Sequence, residues 1–363
     1  MIERDEAHVL PRSLGSFKAI PGIDPSYCIV DGGSEDTSRD LIPAVMNGIP
    51  GEVHLIPQLK PLDDFAGARN AAIERGKVLA DWLFFLDADD EIVTAPDFVM
   101  PKLKGECYKI LIKCGPDEFY RNALVRANLP WRYVGRLHEN LECQVPFRAQ
   151  ELPGLWIHVH LGEGARSRNP RQKFLDDAAV LRQCLAEDPG NNRHLFYLAQ
   201  SVRDSGDLAG ALSLYEQRAA RKDAWDEETY FSLLSCARIK GWLNYPIPEV
   251  VEAFVKAHRF RPTRAETCGF LAEYLRSKEQ WNQAAYFASI AAKIKRPKDI
   301  LFVTAAWYDW RAMDEWAISA YWAGDFADCR TVCLSMLASG KVPADQVERV
   351  KTNLAFAERA LGM

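Results

Sequence analysis

No run of apolar residues in this chain approaches the roughly 20 needed to cross a bilayer as a helix. The opening Met1-Ile2-Glu3-Arg4-Asp5-Glu6 has no apolar core of the kind that marks a secretory leader. A membrane-spanning or exported protein is therefore not expected. Paired cysteines are also missing. The nine cysteines (Cys28, Cys107, Cys114, Cys143, Cys184, Cys236, Cys268, Cys329 and Cys333) stand singly, odd in number and never at CxxC spacing. This excludes a disulfide framework and a cysteine-based zinc site, and points to reduced thiols in a cytoplasmic protein. Cys329 and Cys333, one helical turn apart, read as core packing. A strong excess of one charge is absent too: 45 Lys and Arg against 50 Asp and Glu give a net charge of −5, so the whole molecule is no polycation built for nucleic acid. Core-forming material is plentiful, with 48% hydrophobic residues and ten Trp, and 363 residues predict two domains.

The chain changes its grammar between residues 162 and 172, which predicts an α/β domain over 1–165 and an all-α domain over 166–363. In the first part, strands are predicted at Tyr27–Val30, Glu52–Ile56 and Trp82–Leu86, separated by helices over Ser34–Val45 and Phe65–Leu79. Alternation of this kind argues for a parallel sheet covered by helices. Further strands are expected at Cys107–Lys113, Ala123–Arg126 and Leu155–Val159. Beyond Gly164 helices dominate: Lys173–Glu187, Asn192–Ser205 and Leu208–Arg221, broken at Asp188-Pro189-Gly190 and Ser205-Gly206-Asp207. The unit Pro189…Leu195-Phe196-Tyr197-Leu198-Ala199…Gly206-Asp207…Ala211…Tyr215 resembles a tetratricopeptide repeat, with weaker copies after Pro262 and around Trp316–Leu337. The stretch Trp242–Pro248 interrupts the spacing, which predicts divergent helical hairpins. Such stacks present a surface to a partner, and their exposed faces allow a homodimer.

The most informative segment is Asp81-Trp82-Leu83-Phe84-Phe85-Leu86-Asp87-Ala88-Asp89-Asp90-Glu91. An apolar run reads as a buried strand, and ligands of open α/β sheets gather at the carboxyl ends of strands. Carboxylates placed there suit a hard divalent cation holding a diphosphate; the bland alternative is an acidic turn capping the next helix.

Three ordered segments now carry a family resemblance. Ile29-Val30-Asp31-Gly32-Gly33-Ser34-Glu35-Asp36-Thr37 resembles the "vDdGStDgT" turn of family 2 glycosyltransferases, Asp64–Ala72 their "FaxARN" helix, and Trp82–Glu91 their DxD strand. Together with the helical tail, the chain resembles the subgroup that joins a GT-A nucleotide-sugar domain, Rossmann-like with a mostly parallel sheet, to tetratricopeptide-like repeats. The resemblance implies a nucleotide-sugar donor, UDP-linked, with Mn²⁺ or Mg²⁺ as cofactor. It places Asp5, Glu6, Asp31, Asp64, Arg69 and Asp87 at the nucleotide. Asp31 then meets base or ribose, although helix capping would also occupy it. Arg69 contacts the nucleotide or forms an ion pair with Asp64 or Asp87. Asp87, Asp89 and His160 are the implied metal ligands, with His158 packed behind.

A further stretch, Trp131-Arg132-Tyr133-Val134-Gly135-Arg136-Leu137-His138-Glu139-Asn140, resembles the subgroup's "WrYxGrvHE" segment. Inverting transfer needs a base for the acceptor's proton. Glu139 occupies the place of the family's base and His138 is second choice, the alternative being that both merely fix the loop. Trp131, Tyr133 and Arg136 are implied contacts to sugar or acceptor, against a core role for the aromatics. One departure stands out: Arg4-Asp5-Glu6 matches the family's "KNE"-type turn, yet most of the apolar strand that normally precedes it is not in this sequence.

The acceptor expected from a repeat domain is a polypeptide. Residues 238–300 carry twelve Lys/Arg against six Asp/Glu, which keeps nucleic acid, and transfer to modified DNA bases, as an alternative. A non-catalytic helical-repeat adaptor with a decayed sugar-nucleotide fold is the non-enzymatic alternative, and a nucleotidyltransferase using the same acids is a third.

Overall fold

The computed structural model describes residues 1–17, 20–49, 51–57, 64–115, 117–222 and 224–363. The chain divides into two compact units, Met1–Pro189 and Gly190–Met363. This division falls later than 165/166, because the helix Pro170–Glu187 packs with the α/β part.

The first unit runs β1 (Ile2–Glu3), α1 (Leu10–Ser16), β2 (Ser26–Asp31), α2 (Ser38–Met46), β3 (Glu52–Pro57), α3 (Phe65–Gly76), β4 (Trp82–Phe84), β5 (Asp90–Thr94), β6 (Cys107–Cys114), β7 (Asp117–Arg126), β8 (Trp131–Val134), β9 (Asn140–Cys143), β10 (Ala149–Val159) and α4 (Pro170–Glu187). Strands β1, β2 and β3 form a parallel sheet in that order. The expected third parallel strand departs from this pattern. β4 pairs antiparallel with β7 and belongs to a five-stranded mixed sheet of order β4-β7-β6-β10-β5. The reason lies at β1, which is two residues long and pairs with only the carboxyl end of β2, Ile2 with Val30 and Glu3 with Asp31. Between the rest of β2 and β4 lies a cavity of about 820 Å³, lined among others by Leu14, Phe17, Ile29, Ile73, Leu83 and Phe84. The Met1 amine bonds to the Cys28 carbonyl at 2.9 Å at one wall of this slot, and burial pulls its pKa down to about 6.

Apolar side chains of α1, α2 and β2 (Leu10, Leu14, Ile29, Ile42, Met46) make one core, and Ile92, Ile110, Ile112, Leu124, Leu155 and Ile157 make another in the mixed sheet. Helix α2 begins at Ser38, not at Ser34, for a local reason. Asp31 Oδ1 accepts from Gly33 N and Ser34 N, and Asp36 Oδ1 accepts from Ser38 N at 2.8 Å, so side chains hold 33–37 as a loop and start the helix after it.

The second unit holds α5 (Asn192–Asp204), α6 (Leu208–Ala220), α7 (Asp226–Trp242), α8 (Ile247–Phe260), α9 (Ala265–Ser277), α10 (Trp281–Lys293), α11 (Ala312–Trp322), α12 (Phe326–Ser339) and α13 (Ala344–Ala360). Consecutive helices pack as hairpins, α5 with α6, α7 with α8, α9 with α10 and α11 with α12. Each hairpin turn carries a residue at positive φ: Gly206 (100°), Asn244 (56°), Glu279 (57°) and Gly324 (84°). The Trp242–Pro248 stretch therefore holds a hairpin turn between α7 and α8, in which Asn244 does what Gly206 and Gly324 do in theirs. This is a tetratricopeptide-like helical unit. Among the described residues no helix is long and apolar enough to cross a membrane.

Candidate active site

Three segments distant in sequence converge on one guanidinium. Helix α3 is started by Asp64, whose side chain accepts from Gly67 N at 2.8 Å. A side chain at Gly67 would collide with that cap, its Cβ falling 2.6 Å from Asp64 Oδ2. The cap fixes the helix so that Arg69 points inward. Arg69 Nη2 lies 2.5 Å from Asp87 Oδ1, beyond the end of β4, and Nε lies 2.6 Å from Glu139 Oε1 in the turn between β8 and β9. The guanidinium also faces the Tyr133 ring at 5.2 Å. Burial alone would lower its pKa, but Asp87, Tyr133 and Glu139 carry it above the ordinary value. Asp87 answers in the opposite sense: burial raises its pKa, and the charges of Arg69 and Arg121 outweigh that and hold it well below the carboxylate range.

The neighbouring Asn70 explains why the loop stays in place. Its amide donates to the Tyr133 carbonyl at 2.9 Å and accepts from Tyr133 N at 2.7 Å, clamping β8 to α3 in the manner of a strand partner. Arg69 gathers the acids and Asn70 fastens the strand that leads to Glu139.

The other acids of the turn stand in a different environment. Burial, reinforced by Asp87, raises the pKa of Asp89 and pushes Asp90 up to about 7. Asp89 packs against Gly164, where a Cβ would sit 2.5 Å from its Oδ2 and 3.6 Å from Glu6 Oε1. Glu6 accepts from Ala165 N at 2.9 Å through Oε1, while its buried Oε2 has no hydrogen-bond partner. Burial raises the Glu6 pKa, and Asp89 adds to the rise. The two carboxyl groups thus lie beside the same glycine.

Several residues expected at the site are employed otherwise. Asp31 is 2% exposed, caps the 33–34 turn and pairs with Arg39 at 2.8 Å. This is a turn and not the helix cap of its alternative reading, since α2 has Thr37 at its N-cap with no side-chain cap bond. Asp5, at φ 57°, accepts from Glu35 N and Asp36 N and ties the first turn to the same loop. Asp64 serves as the helix cap. Trp131, 1% exposed, lies edge-on to Phe147 in the core with Ile73, Leu83 and Val125, so the core reading holds for it and a sugar contact does not. Arg136 reaches both oxygens of Glu187 on α4 at 3.1 Å. His138 is exposed at φ 51°. His160 Nε2 sits 2.8 Å from Glu91 Oε2, Nδ1 sits 3.7 Å from Glu163 Oε1, and the ring meets His158 edge-on. Asp87, Asp89 and His160 are accordingly not gathered as one ligand set. Among the described residues no three His, Cys, Asp or Glu side chains converge as metal ligands.

Sequence reasoning missed Asn70, Arg121 and Glu3. Asn70 stood inside the quoted helix motif. Arg121 could have been found only by assigning the β4–β7 register. Glu3, 2% exposed beside Asp31 and with its Oε1 unpartnered, is pushed up to about 7 by burial. A charged residue in a two-residue strand gave no periodicity to read.

The fold and this site define an α/β unit with an acid-bearing strand end, joined in the chain to a helical-repeat unit. Residues 3–98, in the N-terminal unit, match the family described as "Glycosyl transferase family 2". A TPR repeat-containing protein of Synechococcus elongatus is 38% identical over 93 residues, which are 26% of this chain and 20% of the relative, so this chain spans about a fifth of that protein. Among solved structures, BtubC from P. vanneervenii aligns over 55% of this chain and 85% of its own at 14% identity with a TM-score of 0.41. A tetratricopeptide repeat protein from Parabacteroides merdae aligns over 53% and 68% at 14% identity with a TM-score of 0.39.

Proposed function

We propose that this chain is a metal-dependent, inverting glycosyltransferase that moves a sugar from a UDP-linked donor to a polypeptide acceptor. The observation that carries the proposal is the convergence of Asp87 and Glu139 on the buried Arg69 from separate strand ends. Glu139 would take the acceptor hydroxyl's proton while its Oε1 stays fixed on Arg69. The new bond forms between the acceptor oxygen and the anomeric carbon, the bond to the diphosphate oxygen breaks, and the nucleoside diphosphate leaves with that electron pair.

The donor set fits a hard cation. Asp89 and Glu6 offer carboxylate oxygens on either side of Gly164, one of them buried and unpartnered, and Mg²⁺ or Mn²⁺ accepts one or two carboxylates with phosphate oxygens completing its shell. When bound, such an ion offsets the charge on the leaving diphosphate. Asp87 has a different part, since Arg69 and Arg121 already claim it; it holds those cations at the turn. His160 is best read as a partner of Glu91.

For the acceptor, the helical unit exposes Trp225, Trp242, Tyr286 and Trp322, side chains suited to polypeptide contact. The basic stretch offers less to nucleic acid than its composition promised. Lys240, Arg261, Arg264 and Arg276 pair with Glu216, Asp299, Glu266 and Glu315, and Arg238 lies over Trp242 and Phe270. The adaptor reading has one observation in its favour: both central acids are already satisfied by an internal ion-pair network.

Glu139→Gln separates these readings. The variant should bind UDP and Mn²⁺, seen as a thermal shift equal to that of the parent chain, while losing transfer of sugar to peptide in a mass-spectrometric assay. Undiminished transfer would remove Glu139 as the base, and no shift of the parent chain with any nucleotide and metal would favour the adaptor.

A further inference from the structure

Arg121 stands where β7 passes the acid turn. The antiparallel register pairs Trp82 with Arg126, Leu83 with Val125 and Phe84 with Leu124, and the Phe85 N to Ala123 O bond of 2.8 Å continues it. Extended by the same step, the register sets Asp87 opposite Arg121. The side chains follow: Arg121 Nη1 is 3.5 Å from Asp87 Oδ2 and Nη2 is 3.7 Å from Asp90 Oδ2.

The two arginines of the turn are held differently. The Arg69 side chain is 14% exposed and bonded at 2.5 and 2.6 Å on two edges, so it is committed to Asp87 and Glu139. The Arg121 side chain is 39% exposed and touches its acids only at long range. Asp90 Oδ2, buried in front of it, makes no hydrogen bond at all. Long, solvent-screened contacts of this kind cost little to exchange.

We propose that Arg121 is a phosphate-positioning residue, whose guanidinium turns from Asp87 and Asp90 to the diphosphate oxygens of a nucleoside diphosphate or nucleotide-sugar. The inference rests on the reading that such a diphosphate occupies the acid turn. A planar fork of N–H donors with permanent charge matches two phosphate oxygens in a way a lysine point charge does not. Arg121 is reachable from solvent, lies within one side chain's swing of the turn, and has donors that are not committed to short bonds.

The test is calorimetric titration of the full chain, Arg121→Gln and Arg121→Lys with UDP, GDP, CDP and dTDP in the presence of Mn²⁺, each against its own nucleoside. Arg121→Gln should weaken the diphosphate about tenfold or more while leaving the nucleoside within about twofold, with Arg121→Lys between. Equal losses for diphosphate and nucleoside would mark a merely structural role and overturn the proposal, as would an unchanged affinity in Arg121→Gln. A parent chain that binds none of the diphosphates would instead overturn the nucleotide reading itself, and the role of Arg121 with it.

Discussion

Replacing Arg69 by Met removes one charge from between two carboxylates while keeping the length and most of the volume of the side chain, so the effect is electrostatic and not that of a cavity. Breaking a buried ion pair from one side costs roughly 3–5 kcal/mol, because the remaining charge is left uncompensated. Asp87 keeps 28% and Glu139 13% of their side-chain exposure, and solvent therefore screens part of the attraction. That brings the expectation to about 3 kcal/mol. For a unit of this size, it corresponds to a fall of roughly 6–12 °C in the unfolding transition. The pH dependence carries the more specific signature. In the parent chain the folded-state pKa of Asp87 is depressed, so its stabilising contribution is present above about pH 4 and is lost as pH falls through the folded value. In Arg69→Met burial acts on Asp87 with only the long contact to Arg121 and the Met1 amine opposing it, and protonation becomes more favourable. The variant should therefore regain stability between pH 7.5 and pH 5, where the Asp87 contribution to the parent chain is constant. Scanning calorimetry of both full chains at the two pH values checks this. An equal loss at both, or a shift under about 2 °C, would refute the account of Arg69 as the charge that holds the turn.

Two other outcomes follow from buried groups of the first unit. Glu3 and Asp90 both titrate near 7 when folded, well above unfolded carboxyls, so the stability they contribute is complete below about pH 4 and declines as pH rises to about 7. The double variant Glu3→Gln/Asp90→Asn should flatten that slope in urea unfolding at pH 5, 6, 7 and 8, and a slope equal to the parent's would show that these acids do not set it. Joining five residues of alternating Val and Thr to Met1 should seat a strand in the slot beside β2 and convert a desolvated amine into an amide. Burial of about 1.5–3 kcal/mol for each of three Val side chains, with about 1 kcal/mol from each hydrogen bond of the new ladder, exceeds the ordering cost of about 1–2 kcal/mol per residue only narrowly. A rise of several degrees is expected, and none for a Gly-Ser extension of the same length; equal responses to the two extensions would show that the slot does not take a strand.

Much of this architecture could be read from local signals. Apolar runs gave the positions of β2, β3 and β6, and the asparagine, glycine and aspartate punctuation gave α5 and α6 nearly to the residue. Pairing was harder to read, because an apolar run such as Trp82–Phe84 does not declare whether its neighbour is β1 or β7. The same difficulty hid Arg121, whose partner is set by register alone. Local chemistry also competed with function for the same residues. Asp31, Asp64 and Asp5 carry the residue types a nucleotide site needs, but in the fold they satisfy backbone N–H groups of turns and a helix start. The Arg69–Asp87 pair was among the readings left open, while the bond from Arg69 to Glu139 joins segments 70 residues apart that no spacing could connect.

The slot between β2 and β4 makes the first unit mechanically divided. No ladder of backbone hydrogen bonds crosses it among the described residues, so the Asp31 turn and the Asp87 turn ride on separately bonded sheets. What spans the gap near the site is a small set of polar struts, such as Arg12 Nη2 to the Asp89 carbonyl at 3.1 Å and Ser13 Oγ to the Asp87 carbonyl at 3.4 Å, backed by apolar side chains. Side-chain contacts slide where ladders shear only at the loss of several bonds together. The distance between the two turns is thus a compliant dimension of the molecule, and a ligand long enough to touch both would act as a brace that sets it.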